Sequence, residues 1–148
     1  MLWEADPDAA AFDPRMMERD ETVWLTVEGR SMSPVLRSGD AVMIRCCTAD
    51  AVKPGDVITV ADPAGLCTHR LIMITHEGGK RLLWTKGDAC AHWDDPIDSE
   101  ALLGKGVAML RGGRHLSLEK GWRALNFVML GVSMVLGGLL WVKWTLRV

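Results

Sequence analysis

Ser31 and His69 are of the residue types that serve as a nucleophile and its base. A serine hydroxyl attacks weakly at its own pKa and needs such a partner. Ser31 lies in Gly29-Arg30-Ser31-Met32-Ser33-Pro34, a turn-rich break between apolar runs that presents the hydroxyl rather than burying it. Gly29 lets backbone approach closely, and Pro34 fixes φ three residues on. His69 falls inside an extended apolar run, where one rotamer can be held. His76 falls at a hairpin tip, His92 in a loop and His115 in a basic turn. An imidazole base works best when a carboxylate fixes its tautomer and supports the cation. Asp88, Asp94, Asp95 and Asp98 follow Thr85-Lys86-Gly87 and are the candidates. Each residue also has a plain structural role: serine and glycine make turns, strand histidines fill cores, and loop aspartates cap turns.

The elements that must hold these residues are short and extended. Val23, Leu25 and Val27 alternate with Trp24 and Thr26, the period of a strand. Ser38-Gly39-Asp40 and Lys53-Pro54-Gly55-Asp56 are turn signals around the apolar run Ala41–Cys46, and Val57–Val60 follows. Asp62-Pro63-Ala64-Gly65 turns the chain again. Leu66–Thr75 and Arg81–Thr85 flank a loop, His76-Glu77-Gly78-Gly79-Lys80, as a hairpin. Leu102–Leu110 reads as a last strand, broken by Gly104 and Gly106. The expected fold is mainly β, a single domain of short strands over residues 22–118. Residues 1–21 carry seven acids against two arginines and read as a flexible acidic arm with a helical turn around Met16–Arg19, not as a secretory leader.

Residues 119–148 differ in kind. Ala124 to Val142 runs 19 residues without a charge. As a helix it covers roughly 28 Å, close to the hydrocarbon core of a bilayer. Trp122, Trp141 and Trp144 stand near its ends, with Lys120 and Arg123 on one flank and Lys143 and Arg147 on the other. The expectation is one C-terminal transmembrane helix in a single-pass membrane protein. Arg111 and Arg114 add to the basic charge before the span, which favours a cytoplasmic catalytic domain.

Other chemistry finds no motif. Net charge is −2 at pH 7, and no basic helix suggests a nucleic-acid partner. There is no HExxH and no GxxxxGK[ST], so neither metal nor other cofactor is expected. Cys46, Cys47, Cys67 and Cys90 form no CxxC pair and read as free thiols in the core.

The motifs taken in order are Gly29-x-Ser31-Met32-x-Pro34, Gly39-Asp40, Pro54-Gly55-Asp56-Val57, His69-Arg70, Thr85-Lys86-Gly87-Asp88 and Gly104-Lys105-Gly106-Val107. This series resembles the type I signal peptidase superfamily over Val23 to Leu110. It is most similar to the branch of endoplasmic-reticulum, archaeal and sporulation signal peptidases, which carries His-Arg where other branches carry Lys. The resemblance implies a membrane-anchored serine endopeptidase cutting an exported or precursor polypeptide. By position, Ser31 corresponds to the nucleophile, His69 to the base, Asp94 to the supporting acid and Asp88 to a second acidic position. Asp95 is the alternative in a shifted register. Gly29, Arg30, Met32 and Pro34 form the supporting loop. Gly29 replaces a side-chain donor found in many relatives, so the oxyanion would rest on backbone N–H groups, chiefly that of Ser31. Ala89-Cys90 also departs from the branch, which has Asn after KGD. Two other readings stand beside this one: a maturation protease for a dedicated peptide on the cytoplasmic face, and a non-catalytic peptide-binding or membrane-adaptor module.

Overall fold

The alternation that begins at Thr22 forms strand β1 (Thr22–Thr26), which turns Leu25 inward. Seven strands follow: β2 (Ala41–Cys46), β3 (Val57–Asp62), β4 (Gly65–Glu77), β5 (Lys80–Lys86), β6 (Ile97–Asp98), β7 (Leu102–Arg111) and β8 (Arg114–Ser117). They pair antiparallel in one curled sheet of order β1-β2-β7-β3-β4-β5-β6, with β8 also on β7. The computed structural model describes residues 16–119 and positions 128, 131, 132, 134, 135, 138, 139 and 142. The mainly β class expected from the alternation is the class observed.

Two apolar clusters fill the curl. One gathers Leu25, Val27, Val42, Ile44 and Met109 with Met32, Val35 and Leu36 from the segment after β1. The other gathers Ile58, Val60, Leu71 and Leu83 from β3, β4 and β5. Ser31 adjoins the first cluster through Met32, and His69 pairs across the ladder with Ile58 of the second. The two halves of the expected dyad therefore rest on different parts of the core.

Long β4 joins two neighbours in turn. Gly65–Arg70 pairs with β3, and pairing with β5 begins at Arg70 and continues to Glu77. The stretch Gly65–His69 thus has a strand on one side only.

Four local expectations change. The hairpin loop is only Gly78-Gly79, with φ of 56° and 78°, so β4 and β5 run through Glu77 and Lys80. Two successive positive φ values make the tight turn that suits a twisted hairpin, and two glycines supply them. Gly112-Gly113, with φ of 54° and 77°, does the same after β7 and adds β8, so β7 is not the last strand. Short β6 is a further strand beyond those expected. Finally, Gly104 and Gly106 do not break β7. A Cβ on Gly104 would stand 2.1 Å from the Arg45 carbonyl oxygen, so glycine is what lets β2 and β7 close there.

At the N-terminal end, the Asp20 N–H donates to the Cys46 carbonyl and the Cys46 N–H to that of Glu21, so residues 16–21 are tied to β2. Met16 is in a 3₁₀ turn, where a helical turn is expected, and Glu18–Glu21 then closes a reverse turn, with the Glu21 N–H on the Glu18 carbonyl. Residues 1–15 of the expected arm lie outside the described residues. So does most of the expected transmembrane segment 124–142. Its described positions are helical, and Val128, Val132, Met134, Val135, Leu139 and Val142 are exposed. Among the described residues no helix is long and apolar enough to cross a membrane, so the span has no support there.

Gly104→Ala should lower unfolding free energy by about 1–3 kcal/mol in denaturant titration, since rigid backbone must move. Gly106→Ala meets only Leu118 and Val42 methyl groups and a carbonyl at 3.4–3.6 Å, and should be nearly neutral in the same assay.

Candidate active site

The loop that carries Ser31 is closed at its base by two backbone bonds, Val27 N–H to the Asp40 carbonyl and Gly39 N–H to the Val27 carbonyl. Inside it, buried Asp40 takes the Arg37 N–H on Oδ2 and a forked ion pair from Arg111 at the end of β7. The same guanidinium donates to the Val35 carbonyl at 2.8 Å. The Arg111 hydrogen bond outweighs burial and holds the Asp40 carboxyl below its usual range. Met32 and Leu36 sink into the core on either side of a turn closed by Leu36 N–H on the Met32 carbonyl. Gly29 has φ of 76° with open space around it, so its backbone shape is what requires glycine. Arg30 and Pro34 are exposed; the Arg30 carbonyl accepts the Ser33 N–H and so tightens the turn around Ser31. Ser31 itself is half-buried.

His69 reaches Ser31 from β4. Its Nε2 is 3.1 Å from Ser31 Oγ, and its Nδ1 is 2.6 Å from Asp94 Oδ2. In the neutral ring that serves this geometry, Nδ1–H donates to Asp94 and Nε2 accepts the serine proton. Asp94 is fixed by Thr85 at both ends. The Thr85 hydroxyl donates to Oδ2 at 2.7 Å, and the Asp94 N–H donates to the Thr85 carbonyl at 2.9 Å.

Asp88 is part of a different device. Its two oxygens accept Nε and Nη2 of Arg70 at 2.7 Å each, and Arg70 Nη1 donates to the Gly55 carbonyl. Arg70 is 0 % and Asp88 2 % exposed. Removing one partner of such a pair leaves a buried charge uncompensated, a loss of about 3–5 kcal/mol. Asp88 therefore holds the loop in place and does not touch His69. Of the four candidate acids, Asp94 alone is hydrogen-bonded to the imidazole; Asp95 is exposed, and Asp98 pairs with Lys80.

The loop after β5 also grips the nucleophile directly. The Ala89 N–H donates to the Ser31 carbonyl at 2.8 Å, and a Cβ on Gly87 would lie 2.7 Å from that carbonyl oxygen and 2.6 Å from Cys90 Sγ. Lys86, 1 % exposed, donates to the Gly87 carbonyl, and its burial pulls the ammonium pKa down. Thr85-Lys86-Gly87-Asp88 thus contributes four separate acts: fixing the acid, buttressing the loop, admitting Ser31 and pinning Arg70.

Burial works against a charged His69, but ring N–H hydrogen bonds accepted by Asp94 and Cys67 outweigh it and push the pKa up to about 9. Asp94 moves the other way: burial would raise it, yet the His69 and Thr85 hydrogen bonds hold it below its usual value. At neutral pH the pair is imidazolium and carboxylate, and the neutral base becomes abundant only on the alkaline side.

A buried polar lattice that presents a serine to a carboxylate-backed imidazole suits acyl transfer. The Peptidase S24-like family model matches residues 2–97, a stretch that includes Ser31, His69, Asp88 and Asp94. The chain belongs to the Peptidase S24-like family. Membership makes peptidase chemistry the general activity to which this arrangement belongs, at a level coarser than the signal-peptidase branch. No curated protein matches the chain. Within this S24-like fold, Thr85 and Arg111 are supports that the sequence reading passed over. Thr85 stood in the quoted motif without a role, and Arg111 entered only as a charge beside the presumed span. Among the described residues, no group of three or more His, Cys, Asp or Glu side chains is arranged to hold a metal ion.

The His69 ring signals, followed by NMR against pH, should titrate with a midpoint near 9. Asp94→Asn should move that midpoint down by more than one unit, because burial then acts with less opposition. A wild-type midpoint near 6.5 would contradict the coupling.

Proposed function

We propose that this S24-like peptidase is a serine endopeptidase of the signal-peptidase type, acting on an exported or precursor polypeptide near a membrane. The observation that carries the reading is one imidazole within hydrogen-bond reach of both Ser31 and Asp94. In the first step His69 Nε2 takes the Ser31 proton as Oγ attacks the peptide carbonyl carbon. Asp94 holds the ring and supports the imidazolium. The developing oxyanion is met by backbone N–H groups, chiefly that of Ser31, which has no backbone acceptor among the described residues. The imidazolium then gives its proton to the leaving amine, and water releases the acyl group by the same steps in reverse. With no side-chain donor at Gly29, the rate should be modest, since one oxyanion donor is worth on the order of 10²–10³.

An extended substrate fits the unpaired side of Gly65–His69, where it would add as a strand and run its carbonyl toward Ser31. A bilayer is the proposed second partner. The uncharged stretch 124–142 and its exposed described positions support an anchor, and the basic bias before it favours a cytoplasmic domain.

Ser31→Ala should abolish cleavage of precursor polypeptides, by at least about 10³-fold, without lowering Tm. Full turnover in that variant would overturn the mechanism. Absence of any cleavage by folded wild-type protein would favour the peptide-binding module. Full-length protein should stay with the membrane pellet after alkaline carbonate extraction, and a version ending at residue 119 should leave it; retention of the shorter chain, or release of the longer, would contradict the anchor.

A further inference from the structure

A cavity of about 520 Å³ opens on the Asp94 side of His69. Its lining includes Val60, Ala64, Cys67 and Ile97, together with Asp94 and Asp95. Val60 pairs with Cys67 across the β3–β4 ladder, as Ile58 pairs with His69. Cys67 and His69 are two apart on one strand, so the cavity lies on the same sheet face as the dyad, one step along β4. An extended peptide added beside Gly65–His69 would pass this opening with the side chain of a residue close to the cut.

The chemistry of the lining selects among side chains. The walls are short and apolar, which suits an unbranched methylene stem. The two acids differ. Asp94 is engaged by His69 and Thr85, whereas Asp95 is exposed and makes no ion pair among the described residues. A purely aliphatic side chain would gain nothing from the solvated Asp95 carboxylate, and an acidic one would be repelled by it. A lysine or arginine satisfies both parts, with stem on the walls and cation at the rim, as such side chains do elsewhere on amphipathic surfaces.

We propose that this cavity is a specificity pocket for a basic residue of the peptide substrate, with Asp95 as its selecting group. The proposal rests on the endopeptidase reading and adds the substrate class. The chain's own first 15 residues, with four acids and one arginine, have the opposite character.

The test uses a synthetic degenerate dodecapeptide library containing norleucine, an uncharged counterpart of lysine. Wild-type protein digests it, and the cut sites are read by mass spectrometry. In parallel, Ser31→Ala protein captures peptides from the same library, which are eluted and sequenced. Lysine and arginine should exceed norleucine roughly two- to fivefold at one fixed distance from the cut, as expected for a solvent-accessible ion pair. The excess should vanish in Asp95→Asn and give way to glutamate and aspartate in Asp95→Lys. Cleavage with no basic preference, or a preference unchanged in Asp95→Asn, overturns the pocket. If wild-type protein cuts nothing while Ser31→Ala protein captures basic peptides in an Asp95-dependent way, the endopeptidase reading fails and the pocket stands. If neither arm shows basic preference, the pocket is overturned.

Discussion

The buried pair of Arg70 and Asp88 is the constraint on which the site depends. Two charges held at almost zero exposure are tolerable only when their hydrogen bonds are satisfied. Arg70 satisfies its own through both Asp88 oxygens and the Gly55 carbonyl, and so fastens β4, the loop after β5 and the turn before β3 to one point. Everything catalytic hangs near that point. His69 precedes Arg70 in the strand. Gly87 and Ala89 flank Asp88 and press on the Ser31 backbone. Asp94 is returned to β5 by Thr85. The distances from His69 to its two partners follow from a lattice in which few members can move alone.

The same lattice sets a tension in the chemistry. Asp94 and Cys67 stabilise the protonated imidazole against burial, so the ring is well oriented but holds its proton at neutral pH. Orientation and availability are therefore in opposition. A pair like this stabilises the fold fully below the ordinary histidine pKa near 6.5, and the contribution is lost as pH rises through about 9. The neutral base appears over that same interval. A cation arriving beside Asp94 and Asp95 would disfavour the imidazolium and so ease the opposition.

Much of this was legible in the residues. Strand alternation and Gly/Pro turns marked six of the strands, and the order of motifs brought Ser31, His69 and Asp94 forward before any geometry. What escaped shares one cause. Gly78-Gly79 and Gly112-Gly113 are the same two-residue turn, yet the first was read as a longer loop and the second passed over, which lost β8. Gly104 looked like a strand breaker because sequence does not display the backbone 2.1 Å from its missing Cβ. Residue type did not separate Asp88 from Asp94, since both are loop acids after one motif; only the positional resemblance set Asp94 apart. Burial gives the physical reason: Asp88 faces a guanidinium sealed from water, and Asp94 faces the imidazole at a half-open site. Arg111 lies 71 residues from Asp40, a separation at which no local pattern speaks.

The central claim is that His69 makes Ser31 a nucleophile. Its most direct measurement is covalent labelling by a fluorophosphonate at about pH 9, with the modified residue located by mass spectrometry. One adduct, on Ser31, is expected, with loss of labelling in a folded His69→Ala variant. Folded wild-type protein that leaves Ser31 unmodified, or a His69→Ala variant that is labelled just as fast, would contradict it.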